Sequence, residues 1–133
     1  MLFRSFSETA TLRSIARRLD ETDQALVELK AVDDQYPLVG DLKLAGSENP
    51  RTAFSRGVIV DPLLLQRLSL KIGDRLRIGA GEFLISAELQ AEPDGLADRV
   101  AYGPRIFLSL KDLDLTGLVQ PGSLIRWRYA FLL

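Results

Sequence analysis

VIVDPLLLQRLSLKIGDRLRIGAGEFLISAEL, residues 58–89, reads as a strand, a capped short helix, a tight turn and two further strands, and the rest of the chain extends that plan. Val58, Ile59 and Val60 form a short apolar run. Asp61-Pro62 then supplies a carboxylate that can cap a helix, followed by the residue whose missing N–H costs nothing at the first helical position. Leu64, Leu65 and Leu68 share one face of about two helical turns, and Ile72-Gly73-Asp74 turns the chain back. From Arg75 to Leu89 the period is two. Leu76, Ile78, Phe83, Ile85, Ala87 and Leu89 are expected to share faces, with Arg75, Arg77, Ser86 and Glu88 opposite and Gly79-Ala80-Gly81 as the loop. This predicts a half-buried antiparallel unit crossed by one small helix.

At 133 residues and 47% hydrophobic content, the chain is expected to form one domain, residues 1–133. Seventeen basic against eighteen acidic residues leave a net charge of −1, so no global field gathers nucleic acid or an anionic surface. With neither cysteine nor histidine, the chain has no thiolate nucleophile, imidazole base, Ser-His-Asp triad or ordinary zinc site. No stretch reaches the ~18 apolar residues of a membrane span, and the N-terminus lacks a signal peptide's apolar core. A protein working outside the cytoplasm with this sequence would be a piece of a longer one.

Taken in order, residues 9–17 fit two readings. Leu12, Ile15, Ala16 and Leu19 make a helical stripe behind a Ser5–Glu8 capping box, while an alternating pattern that continues into Val27, Leu29 and Ala31 makes a strand of a hairpin turning at residues 18–24. Tyr36-Pro37-Leu38 is expected to be extended, residues 40–44 to add a short strand, and residues 50–55 to form a helical turn. Ile106-Phe107-Leu108 repeats the earlier apolar strand. Ser109 then caps a helix closed by Gly117, Pro121-Gly122 turns, and residues 123–133 alternate. Asp61 thus corresponds to Ser109, Leu65 to Leu113, Leu76 to Ile125 and Ile78 to Trp127. The predicted fold is α+β: mostly antiparallel β-strands with a few short capped helices.

Candidate chemical residues reduce to structural ones. Asp61 begins a helix, and Asp33 and Asp34 as neighbours in a strand would point to opposite faces. The glycines fit neither phosphate-binding pattern. Arg13, Arg17 and Arg18 near Asp20, Glu21 and Asp23 describe a solvated hairpin. Trp127, Tyr129 and Phe131 alternating with Arg126 and Arg128 predict core aromatics with arginines outside. Tyr102 and Arg105, flanking Gly-Pro in an expected exposed loop, are the candidate partner contacts. No catalytic, cofactor-binding or metal residues are assigned.

ELKAVDDQYPL at 28–38, residues 58–89, and YGPRIFLSLKDLDLTGLVQPGSLIRWRY at 102–129 together resemble the extracytoplasmic core domain of FtsX/MacB-type ABC transporter permeases, in the YbbP-like branch. The resemblance covers over half the chain and lies in the length and succession of the blocks. It implies strands at residues 9–17 and 25–32. It also implies a non-enzymatic domain at the periplasmic face of a bacterial inner membrane, excised from a permease. Implied partners are the permease's transmembrane helices, a separate cytoplasmic ATP-binding subunit, and a periplasmic protein or a lipid, lipoprotein or peptide cargo, with no nucleic acid and no cofactor. Two other classes remain open: a free-standing ligand- or peptide-binding module, and a small carboxylate-dependent hydrolase.

Overall fold

The computed structural model describes residues 5–37, 41–92 and 103–132. Its strands are β1 (Ser5–Arg18), β2 (Gln24–Val32), β3 (Lys43–Leu44), β4 (Val58–Val60), β5 (Arg75–Ile78), β6 (Gly81–Ala91), β7 (Arg105–Ser109) and β8 (Arg126–Leu132). Among the described residues three α-helices accompany them: α1 (Pro50–Arg56), α2 (Pro62–Leu68) and α3 (Leu110–Leu115). The sequence ambiguity at residues 9–17 resolves to strand, because β1 pairs antiparallel with β2 from Thr9↔Val32 to Arg17↔Gln24.

The strand order β2-β7-β4-β6-β5-β1, together with the β1–β2 pairing, closes a ring of six strands. Two of its junctions, β2–β7 and β4–β6, are parallel, and the rest are antiparallel. Closure pairs every ring strand on both sides over part of its length, which sequence periodicity alone does not announce. One parity from every ring strand fills the interior: Leu12, Leu29, Val60, Leu76, Ile85 and Ile106 all belong to one buried cluster. Leu64, Leu65 and Leu68 of α2 and Leu113 of α3 join the same cluster.

A second cluster lies outside the ring, where Ile59, Ala87, Leu89 and Phe107 meet Leu42, Leu44 and Ala53 from β3, α1 and the chain leading to them. Its existence corrects the expected single face of β6. Val58 pairs with Ile85 but Ile59 pairs with Ala87, so Ser86 is an extra residue in the ladder. After that bulge the parity inverts: Phe83 and Ile85 face the interior, Ala87 and Leu89 the outer cluster. Ser86, expected on a solvent face, is buried instead. Its hydroxyl donates to the Ala53 carbonyl at 2.7 Å and lies 3.1 Å from that of Val58, tying α1 and β4 to the bulge.

Both helix caps stand where expected. The Asp61 carboxylate accepts from the Leu63 N–H at 2.9 Å, and the Ser109 hydroxyl accepts from the Asp112 N–H at 3.0 Å. Asp61 is fully buried, and its loss leaves the Leu63 N–H without its acceptor. Replacing it with alanine is expected to cost about 1–2 kcal/mol, and with asparagine much less, read as the urea midpoint at constant slope. An Asp61→Ala midpoint equal to that of the parent chain would remove the cap from this account.

Candidate functional site

Three side-chain constellations stand out, and each is built by strand register. The first is on the outer face of the ring. Glu28 and Lys30 of β2 share that face with Arg105 and Phe107 of β7, because β2 and β7 pair in parallel with Glu28↔Arg105 and Lys30↔Phe107. Arg105 is 3% exposed and forms ion pairs with Glu28, at 3.2 Å, and with Glu92. The Lys30 ammonium sits 4.8 Å from the centre of the Tyr36 ring and 5.8 Å from that of Phe107. A charge held between two carboxylates and above an aromatic ring is fixed in place rather than offered to solvent. The expectation that Arg105 stands in an exposed loop is therefore corrected: it opens β7, and its guanidinium is interior. Tyr102, the other candidate contact, lies outside the described residues.

The second constellation locks the β1–β2 turn to α2. Arg18 donates to the carbonyls of Leu68, at 2.7 Å, and Ser69, at 3.1 Å, satisfying acceptors left open where the helix ends. Its other face meets Asp20 at 3.1 Å, and Arg67 of α2 reaches back to Asp23 at 2.6 Å. The Arg18 hydrogen bond, followed by those from the Thr22 hydroxyl and N–H, holds the Asp20 carboxyl well below the usual range. Arg67, then the Gln24 N–H, does the same for Asp23. The sequence reading placed these charges correctly at a hairpin but missed the helix terminus they clasp. Asp33 is likewise structural, accepting from the Glu8 N–H at 2.6 Å, the Ser7 hydroxyl at 3.0 Å and the Gln35 N–H at 3.1 Å.

The third is an exposed surface. β5 and β8 lie end to end along one edge of β1, with β5 opposite residues 16–18 and β8 opposite residues 5–11. A groove of about 670 Å³ opens there, with Leu12, Arg13, Leu118, Leu124, Ile125 and Arg126 on its walls. Beyond it, Trp127, Tyr129 and Phe131 sit opposite Ala10, Glu8 and Phe6. Phe6 stacks on Tyr129 at 5.8 Å between ring centres and tilts against Phe131 at 5.3 Å. These aromatics were expected in the core, yet Trp127, Tyr129 and Phe131 are 42%, 51% and 57% exposed. Alternation put them on the correct face, but β8 lies outside the closed ring, where nothing among the described residues covers that face.

Among the described residues no group of three or more acidic side chains could hold a metal ion, and no helix is long and apolar enough to cross a membrane.

No family model matches the chain. Among solved structures, the fold is shared with extracytoplasmic domains of ABC transporters. The extracellular domain of the noncanonic ABC-type transporter YknZ from Gram-positive bacteria superposes with a TM-score of 0.64 at 15% identity, over 86% of this chain and 59% of that one. The periplasmic region of MacB from Actinobacillus actinomycetemcomitans does so with a TM-score of 0.60 at 14% identity, over 98% of this chain and 58% of that one. A relative in sequence is YbbP of Escherichia coli strain K12, an uncharacterized ABC transporter permease, 41% identical over 106 residues. That match takes in 80% of this chain and 13% of YbbP, so the chain corresponds to a small part of its relative. In sequence and fold together, the chain is similar to the extracytoplasmic core domain of a MacB-type permease of the YbbP branch.

Proposed function

We propose that this chain works as a non-catalytic extracytoplasmic domain of an inner-membrane ABC permease, relaying conformational change between the membrane part and a partner or cargo outside it. The observation that carries the reading is the 41% identity to YbbP over 106 residues. A closed ring suits a relay. Each of its strands is paired on both sides over part of its length, which opposes slip, and the clasp of Arg18 and Arg67 binds α2 to the β1–β2 turn. ATP hydrolysis then belongs to a separate cytoplasmic subunit, and the cargo class is a lipid, lipoprotein or peptide met on the periplasmic side.

The test uses the intact permease that carries this domain. The chain has no cysteine of its own, so once any cysteines in the rest of the permease are replaced by serine, a single cysteine at exposed Lys111 gives an unambiguous accessibility probe. A thiol reagent that cannot cross membranes should label it in intact spheroplasts, and ATP hydrolysis by the reconstituted complex should change when the domain is deleted. Labelling only after permeabilisation would overturn the location, and an unchanged hydrolysis rate would overturn the relay.

A further inference from the structure

We infer that the outer edge of β8, with the aromatic face beside it, seats one further extended strand contributed by another segment of the same extracytoplasmic domain, in which acidic and apolar residues alternate. The inference rests on the permease reading above. Pairing of β1 with β2 ends at Thr9↔Val32, whereas pairing with β8 continues to Ser5↔Leu132. Among the described residues, β1 and β8 therefore run on past β2 and the Asp33 contacts to Ser7 and Glu8 as a two-stranded ribbon, an arrangement marginal in water unless a third strand or a helix covers its apolar face. That face is the interior parity of the ring prolonged outward: Leu12 and Ala10 are buried, and Phe6, Trp127, Tyr129 and Phe131 follow them into solvent, with the half-buried Glu8 opposite Tyr129 as the one charge among them. Among the described residues β8 pairs with β1 alone, so its seven residues keep a second hydrogen-bonding edge open.

Chemistry and length narrow what sits there. Arg126 and Arg128 occupy the opposite face of β8, and no acidic residue occurs from Leu115 to Leu133. A strand added to this edge would set its apolar side chains beside the aromatics and its carboxylates beside the arginines. A second copy fits less well, since self-pairing of β8 over its full length sets Arg128 diagonal to the Arg128 of the other copy on a face where neither strand carries a carboxylate. A segment of the same domain is at hand in the relatives, because this chain accounts for 59% and 58% of the two extracytoplasmic domains it superposes on.

Trp127 is the sole tryptophan and reports directly on the site. A synthetic heptapeptide alternating glutamate and valine should shift its emission to the blue and slow amide exchange in β8, while a lysine–valine heptapeptide should do neither. Arg128→Glu should weaken the acidic peptide about tenfold and admit the basic one. In the intact permease the β8 amides should exchange more slowly than in the 133-residue chain. Equal exchange in the two contexts, or no response to either peptide, overturns the proposal. So does a concentration-dependent dimer that buries Trp127, which would make a second copy the occupant. A blue shift on anionic phospholipid vesicles without peptide also overturns it, naming a lipid surface instead. None of these results alters Lys111 labelling in spheroplasts, so failure here is separable from failure of the permease reading.

Discussion

Arg105→Met is expected to lower the stability of the folded chain by about 3–5 kcal/mol, the cost of removing one partner from a buried ion pair. Arg105 is 3% exposed, and its loss leaves the Glu28 and Glu92 carboxylates facing each other without the cation between them. Methionine keeps much of the apolar stem while removing the guanidinium, which sits 6.0 Å from the Phe107 ring centre, so the substitution mainly reads the missing charge. At this chain length each kcal/mol moves the melting temperature by roughly 3–5 °C, so a drop of roughly 10–25 °C should be seen by thermal melt. The triple variant Glu28→Gln, Glu92→Gln, Arg105→Met should recover most of that loss, because uncharged amides are far cheaper to bury than lone carboxylates. A single-variant loss under about 1 kcal/mol would mean that water reaches these carboxylates and that the network is not closed.

The same residues show why part of this molecule could be read from sequence and part could not. Local signals were sufficient where the determinant is local. Asp61-Pro62 and Ser109 capped their helices, Gly117 and Gly122 took the positive φ their turns need, and Leu64, Leu65 and Leu68 went inward together. Ring closure was invisible, because it depends on β1 meeting both β2 and β5, and no pattern within one strand encodes which neighbours it meets. Closure also changes the meaning of the polar parity. Glu28 and Lys30 alternate with Val27, Leu29 and Ala31 as a solvent face would, yet they lie beneath an outer layer and are 4% and 6% exposed. Arg105 was misread for the same reason: Gly103-Pro104 beside it looks like a loop, and the glutamate that holds it from β2 is 77 positions away.

Periodicity reports direction and not depth, and β6 and β8 show the two ways this fails. In β6 one inserted residue, Ser86, reverses which side is inward halfway along the strand. In β8 the alternation is unbroken, but the strand runs beyond the ring and its aromatic side remains exposed. The two strand–helix–turn–strand units therefore match at their caps and helices and part at their last strand, with Ile78 buried and Trp127 exposed. The aromatic surface proposed as a strand seat was thus visible in sequence as a pattern, while its exposure required the tertiary structure.

Gly79→Ala should destabilise the chain by about 2–4 kcal/mol, through two effects that a control at Gly122 can separate. Gly79 has φ +57° in the β5–β6 turn, and a Cβ built there would lie 2.3 Å from the Thr116 carbonyl oxygen just past the end of α3. The approach is close because the neighbouring Ala80 N–H donates to that same carbonyl at 2.9 Å. Thr116 cannot yield easily: it is buried, its hydroxyl donates to the Leu113 carbonyl at 2.6 Å, and that hydroxyl accepts from the Leu118 N–H at 3.2 Å. A methyl group at Gly79 must push the hairpin of the first unit off the helix end of the second. Gly122 has φ +88° with nothing within 4 Å of a Cβ, so Gly122→Ala bears the backbone term alone, about 1–2 kcal/mol. The difference between the two urea midpoints, at equal slopes, measures the docking of one unit on the other. Equal losses would show that the hairpin tip merely passes near Thr116, and the two units would then owe their union to the ring strands alone. A larger loss at Gly79 makes the contact between turn and helix end part of what fixes the ring, so a force applied at α3 is delivered to β5 and β6 without slack.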